Sequence, residues 1–279
     1  MHEGKVLAAT RGGILCPFSL EKLMPIMDVL RAFFMKYPQY ILVGEVVGQK
    51  NPYMDAPTTY KLSRDTEIFF FDVFDEHGTL LLPDKRRAIL KEFALPQVPL
   101  LGIYSHGKKA LDNIEGIIRE LNKKRREGIV VKSRTTRGKY LKYVTPVVNL
   151  LDIAGDSLLI AELPGNFFTS RIIRYVLSSI ELGISEEFDL EHLFYEGIKE
   201  AVRKIEKYGY IFKDVTLFFE REENLREFLR IFSKISAHIK IDNIKIKHER
   251  TGYILTFRKV HLDATRKVKD FLSGKYLYD

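Results

Sequence analysis

Short β-branched runs alternate with segments of helical spacing along the whole chain, and this alternation limits the fold more than any other feature. Lys5–Thr10 reads as a strand closed by Arg11-Gly12-Gly13. Leu23, Ile26, Met27, Leu30, Phe33 and Phe34 recur at helical spacing, with Pro25 delaying the regular part. Tyr40–Val47 and Ile68–Phe74 read as strands, and Asp84 is placed to cap a helix running to about Ala94. Leu111, Ile114, Ile117, Ile118 and Leu121 line one face of a longer helix over Lys108–Arg126, followed by two close strands, Gly128–Ser133 and Tyr140–Val144. Past Pro146 the character changes. Val147–Leu163 is strongly aliphatic and is broken by Pro164-Gly165; helices are expected near Phe167–Leu182 and Leu190–Tyr208. The remainder reads strand, helix, strand, strand, helix, with strands at Tyr210–Phe219, Ile239–Lys247 and Gly252–Arg258. The expected class is α+β in three units: 1–147, a helical unit 148–209, and a compact α+β unit 210–279.

Charge narrows the range of partners. Lys and Arg number 45 against 37 Asp and Glu, a formal charge of +8, which favours an anionic partner such as nucleic acid or nucleotide without choosing between them. The single cysteine, Cys16, rules out an intrachain disulfide and any cysteine-based metal framework. No apolar stretch approaches the roughly 20 residues a membrane span needs, and the opening residues have no signal-peptide core, so a cytoplasmic location is expected. The chain enters its first strand-like segment almost at once, as though it opened in the middle of a fold.

The residues that can carry chemistry form an ordered set: Thr10-Arg11-Gly12-Gly13, Val43–Gly48 around Glu45, Glu127–Lys132, and Leu141–Val144 around Lys142. Glu127 and Lys132 lie an odd number of positions apart, so they serve one pocket only if the strand starts or bends at Gly128. Lys142 on the neighbouring strand can bring a second ammonium near Lys132. Two such charges side by side suit a polyanion between them, although both could equally reach into solvent. Asp72 and Asp75 read as strand-end or turn residues, and the histidines show no metal-ligand spacing.

In this order the segments resemble the covalent nucleotidyltransferases, and in detail the archaeal homodimeric ATP-dependent RNA ligases. LAATRGGILCPFS at Leu7–Ser19, GEVVGQKNPY at Gly44–Tyr53, FFFDVFD at Phe69–Asp75, EGIVVK at Glu127–Lys132 and KYVTP at Lys142–Pro146 carry the resemblance, which runs from about residue 5 to the C-terminus. It implies an incomplete nucleotidyltransferase (adenylation) domain, ATP-grasp-like, followed by a helical dimerisation domain and a small α+β domain. It implies ATP and Mg²⁺ or Mn²⁺ as cofactors and RNA ends as substrate. Arg11 would meet the ribose or the 3′-side of the nucleotide, Glu45 the ribose hydroxyls and the metal, and Glu127 the metal. Phe71 would stack on adenine; Lys132 and Lys142 would act as the catalytic pair, holding the α-phosphate and easing pyrophosphate departure. Leu158, Leu159, Ile160, Ile172, Ile173, Val176 and Leu177 supply the apolar surface that a homodimer would cover. Lys245, Lys247, His248, Arg250 and Arg258 could track an RNA backbone or form a solvated basic face.

The resemblance breaks at one point. The family's first motif, Lys-x-Asp-Gly, carries the lysine that takes up AMP, and it is absent; the nearest string, Lys240-Ile-Asp-Asn243, lacks the glycine. The expectation is an RNA ligase whose nucleophile lies upstream of Met1, so that the chain is a fragment or inactive alone. The alternatives are a non-catalytic RNA-binding homologue and, second, a nicked-DNA ligase or capping-type guanylyltransferase.

Overall fold

The computed structural model describes residues 5–48, 50–53, 66–154, 165–184, 190–235 and 238–275. The N-terminal half holds helices α1 (Pro17–Leu23), α2 (Met27–Lys36), α3 (Pro83–Glu92) and α4 (Lys108–Lys123), with strands β1 (Ile41–Val47), β2 (Glu67–Phe74), β3 (Gly128–Lys132) and β4 (Tyr140–Val144). Helices α5 (Pro146–Ala154), α6 (Gly165–Glu181) and α7 (Leu190–Tyr208) follow. The chain ends in β5 (Phe212–Phe219), α8 (Glu222–Ile235), β6 (Ile239–Glu249), β7 (Gly252–His261) and α9 (Leu262–Leu272). Among the described residues the strands form β1–β2, β3–β4 and a three-stranded β5–β7–β6 sheet, antiparallel throughout.

Two expectations change. Lys5–Thr10 is an irregular arm with isolated bridges: Thr10 and Cys16 donate amides to Ile14 and Ala8, folding the segment back on itself around Gly13, which sits at φ +79°. Asp84 does not cap α3. Leu82 takes the cap position without a side-chain bond, and Asp84, inside the first turn, pairs with Arg134 at 2.7 Å. Pro25 acts as its chemistry dictates: lacking an N–H, it sits in a one-turn 3₁₀ segment (Met24–Ile26) that separates α1 from α2.

One core forms where α2 lays Met27, Leu30, Phe33 and Phe34 over Phe70 and Val73 of β2 and Ile89 and Leu90 of α3. A second core is non-local. Cys16, Phe18 and Val46 join Leu217, Phe219, Leu225, Phe228, Phe232, Leu255 and Phe257, so α1 completes the sandwich of α8 and the C-terminal sheet. Its polar clasp is the buried Glu21, which accepts hydrogen bonds from the Glu220 amide and, at 2.6 Å, from Asn224 Nδ2. The buried Lys259 donates to the Pro52 carbonyl at 3.3 Å across the same junction.

Glu21→Ala would leave the buried Asn224 amide and the partly buried Glu220 N–H without that acceptor. It should cost about 2–4 kcal/mol in urea unfolding; a change under about 0.5 kcal/mol would show that the clasp contributes no stability.

Candidate active site

The site is built on an irregularity in β2. Val43 pairs with Asp72 while the next residue, Gly44, pairs with Phe70, so Phe71 is an extra residue, a β-bulge. The bulge resets the alternation. Glu45 pairs with Phe69 and Val43 with Asp72, which puts Glu45, Phe69 and Asp72 on one face of β1–β2 and leaves Phe70 and Val73 for the core. The half-buried Phe71 is freed from the ladder, and its carbonyl accepts from Lys132 Nζ at 3.1 Å and from Arg86 Nη1. Gly44 fits here because a Cβ would lie 2.8 Å from the Phe69 carbonyl oxygen.

Asp72 then bridges two cations. Its Oδ1 lies 2.5 Å from Lys132 Nζ and 3.5 Å from Arg86 Nη1, with side-chain exposures of 18%, 18% and 7% for Asp72, Lys132 and Arg86. Burial pushes the Lys132 ammonium and the Arg86 guanidinium below their ordinary pKa values, and the Asp72 charge opposes both shifts. The Lys132 ammonium lies 5.9 Å from the Phe71 ring centroid.

A second pair stands beside the first. In β3–β4, Lys132 is opposite Tyr140 and Val130 opposite Lys142, so both lysines share one face at neighbouring diagonal positions. Lys142 Nζ bonds Glu127 Oε1 at 2.6 Å. Glu127 reaches that face because Gly128 bends the strand start: its φ is +143°, and a Cβ there would lie 2.0 Å from the Tyr143 carbonyl oxygen. Glu45 joins this pair electrostatically. It keeps solvent access, yet the protein around it withholds enough water to raise its carboxyl pKa; the Glu127 charge adds to that rise and Lys142 opposes it. On the opposite face of β4, the Tyr143 hydroxyl donates to Glu181 at the end of α6 at 3.1 Å, and burial with that neighbour pushes its pKa up to about 12.

Five of the six residues singled out in the sequence therefore gather in two adjoining groups: Lys132 with Phe71, and Lys142 with Glu127 and Glu45. Arg11 does not join them; it sits on the exposed Thr10–Gly13 turn with no side-chain hydrogen bond or ion pair among the described residues. Asp72, expected as a strand-end or turn residue, lies inside β2 as the partner of both cations, and Arg86 was not singled out. An aspartate inside Phe69–Phe74 needed a cation to be tolerated at a core strand, and Arg86 shares the buried helical face of Ile89 and Leu90; both signals were in the sequence.

The RNA ligase family profile matches residues 1–144. The chain belongs to the RNA ligase family. Residues 157–275 match a second profile, the ligase Pab1020 C-terminal region. Among solved structures, two forms of an archaeal ATP-dependent RNA ligase superpose with TM-scores of 0.81 and 0.83 at 26% identity, covering 99% of this chain and 73% of theirs. An Aquifex aeolicus protein assigned as an ATP-dependent DNA ligase superposes at 0.86 with 31% identity, covering 98% and 75%. An uncharacterized Methanocaldococcus jannaschii protein is 28% identical over 98% of this chain and 71% of its own length. The fold is thus that of the ATP-dependent ligases, mixed α and β, and the chain is an ATP-dependent ligase-like protein.

The raised Glu45 pKa has a defined pH signature. In the fold this carboxyl holds its proton above the ordinary 4.5, so folding stability falls as pH rises from there through the folded value and then levels off. Glu45→Gln should match wild type below that window and gain melting temperature above it. A difference that stays constant from pH 4 to 8 would contradict the assignment.

Proposed function

We propose that this chain bears the nucleotide- and RNA-end-binding surface of an ATP-dependent RNA ligase, which joins a 5′-phosphate to a 3′-hydroxyl through an adenylated intermediate. One observation carries the reading: two lysines on one face of β3–β4, each matched to a carboxylate, Lys132 to Asp72 of β2 and Lys142 to Glu127 at the start of its own hairpin. Such ammonium groups can exchange a carboxylate for a phosphate without being buried unpaired.

In the reading, Lys132 and Lys142 hold the phosphate oxygens, where charge grows as the bond to the leaving group breaks. Phe71, beside Lys132, offers its ring to adenine, Glu45 the ribose hydroxyls, and Arg11 the 3′-side of the nucleotide. Glu45 and Glu127 fit a divalent cation. Their charges are close enough to raise the Glu45 pKa, and two hard oxygen donors suit Mg²⁺, which keeps several waters. Among the described residues no group of three or more His, Cys, Asp or Glu could build a closed metal site. When bound, the ion would supply charge neutralisation at the phosphate.

The reaction has three steps. A lysine amine attacks the α-phosphate of ATP and pyrophosphate leaves; the AMP passes to the RNA 5′-phosphate; the RNA 3′-hydroxyl then attacks that phosphate, and AMP leaves as the phosphodiester forms. The first step uses the lysine of Lys-x-Asp-Gly, a string absent from this sequence. The last step uses no nucleophilic lysine, so it tests this chain directly. Supplied with 5′-adenylated RNA and Mg²⁺, the chain should seal it, and Lys132→Ala should slow sealing about 100-fold or more. RNA binding with no product above background would instead support the non-catalytic RNA-binding reading.

The reading includes a homodimer in a cytoplasmic setting. No described helix is long and apolar enough to cross a membrane, and α6 exposes Ile173, Val176, Leu177 and Ile180, the last at 72%. Leu158, Leu159 and Ile160 lie outside the described residues. Sedimentation at micromolar concentration should give a dimer that Leu177→Glu converts to monomer; a wild-type monomer would remove this part of the reading.

A further inference from the structure

The hairpin loop between β3 and β4, Ser133–Lys139, is not used by the chemistry above. It helps line a shallow groove together with Leu82, Pro83, Lys132 and Tyr140, the loop contributing Arg137 and Lys139. Cations at a hairpin tip are ordinarily just solvated, but three features argue for more here.

The loop is held in shape. Arg134 forks onto Asp84 Oδ2 at 2.9 and 2.7 Å, the Ser133 hydroxyl accepts from the Thr135 and Thr136 amides, and Gly138 closes the turn at φ +71°. Its remaining cations are uncommitted. Arg137 and Lys139 are exposed and form no ion pair among the described residues. Asp75, whose carboxylate feels the Arg137 charge weakly, already accepts the Thr79 and His77 amides. The third feature is an aromatic ring. Tyr140 is 62% exposed, has no ring contact among the described residues, and lies cross-strand from Lys132 on the face that carries Lys142. An uncovered ring between cations, leading to two phosphate-holding lysines, is the combination that binds an unpaired nucleic-acid strand: base on ring, phosphates on cations.

We propose that Tyr140, Arg137 and Lys139 form a docking track for the single-stranded RNA segment adjoining the reacting end, with the ring stacking on an unpaired base and the two cations holding phosphates. The inference rests on the ligase reading and adds specificity for an unpaired strand. A paired duplex has no free base face for Tyr140.

Fluorescence anisotropy of the full chain with a labelled, 5′-phosphorylated single-stranded RNA, over a salt series, tests it. Tyr140→Ala should weaken binding about tenfold, with Tyr140→Phe near wild type. The double variant Arg137→Ala/Lys139→Ala should reduce the salt slope by about one unit. If wild type binds this RNA and seals its adenylated form while the variants bind with unchanged affinity and salt slope, the track is overturned and the ligase reading stands. If blunt duplex RNA competes as well as single strand, and Tyr140→Ala does not change this, the track is likewise overturned. If wild type neither binds nor seals, both fall.

Discussion

One carboxylate holds the site together. Asp72 stands between Lys132 and Arg86 in a place where neither cation is well hydrated, and without it two positive charges would face each other across the Phe71 carbonyl. Removing one partner of such a buried group costs about 3–5 kcal/mol, because it leaves charge without compensation. Asp72 also ties β3 to β2 and α3, which already pack against each other through Phe70, Val73, Ile89 and Leu90; a two-stranded sheet such as β3–β4 is marginal alone and needs a neighbour to lean on. The position of Lys132, the residue around which the proposed chemistry turns, thus depends on a single extra residue in β2 that swings Asp72 out of the core face.

That residue explains where the sequence could be read and where it could not. The β-branched and helical spacings located most elements to within a few residues; Tyr140–Val144 and Leu190–Tyr208 were found at their observed bounds. Gly128 as the bend that brings Glu127 to the lysine face could be reasoned from parity alone, and the backbone has that bend. The bulge could not be reasoned this way, because Phe69-Phe70-Phe71 offers three similar side chains and alternation cannot decide which is the odd one. Only the pairing with Val43 and Gly44 decides it, and that is a cross-strand fact. The same holds for Lys5–Thr10, whose composition suits a strand but which finds no continuous partner among the described residues. Arg11 was located only by motif, and its solvated position on a turn is what a loop residue without a bound partner adopts.

The second core shows a different kind of dependence. Phe18 and Cys16 are packed by side chains from the C-terminal unit, and α1 in turn helps to cover Phe228 of α8 and Phe219 of β5. The catalytic-type half and the last α+β unit are therefore packed as one hydrophobic body around α1, and Val46, which follows Glu45 in β1, belongs to that body. Changes in the C-terminal sheet can reach the Glu45 strand through this packing with no polar contact in between.

The Glu21–Asn224 clasp spans 203 residues of sequence, and this has a consequence for the birth of the molecule. At roughly 5–20 residues per second on the ribosome, the apolar side of α1 is made many seconds before the strands and helix that cover it. Over that interval Phe18 is presented to the cell uncovered. The nascent chain must be shielded by a chaperone or wait in a loosely collapsed state until the segment that locks α1 in place, 203 residues later, has been made.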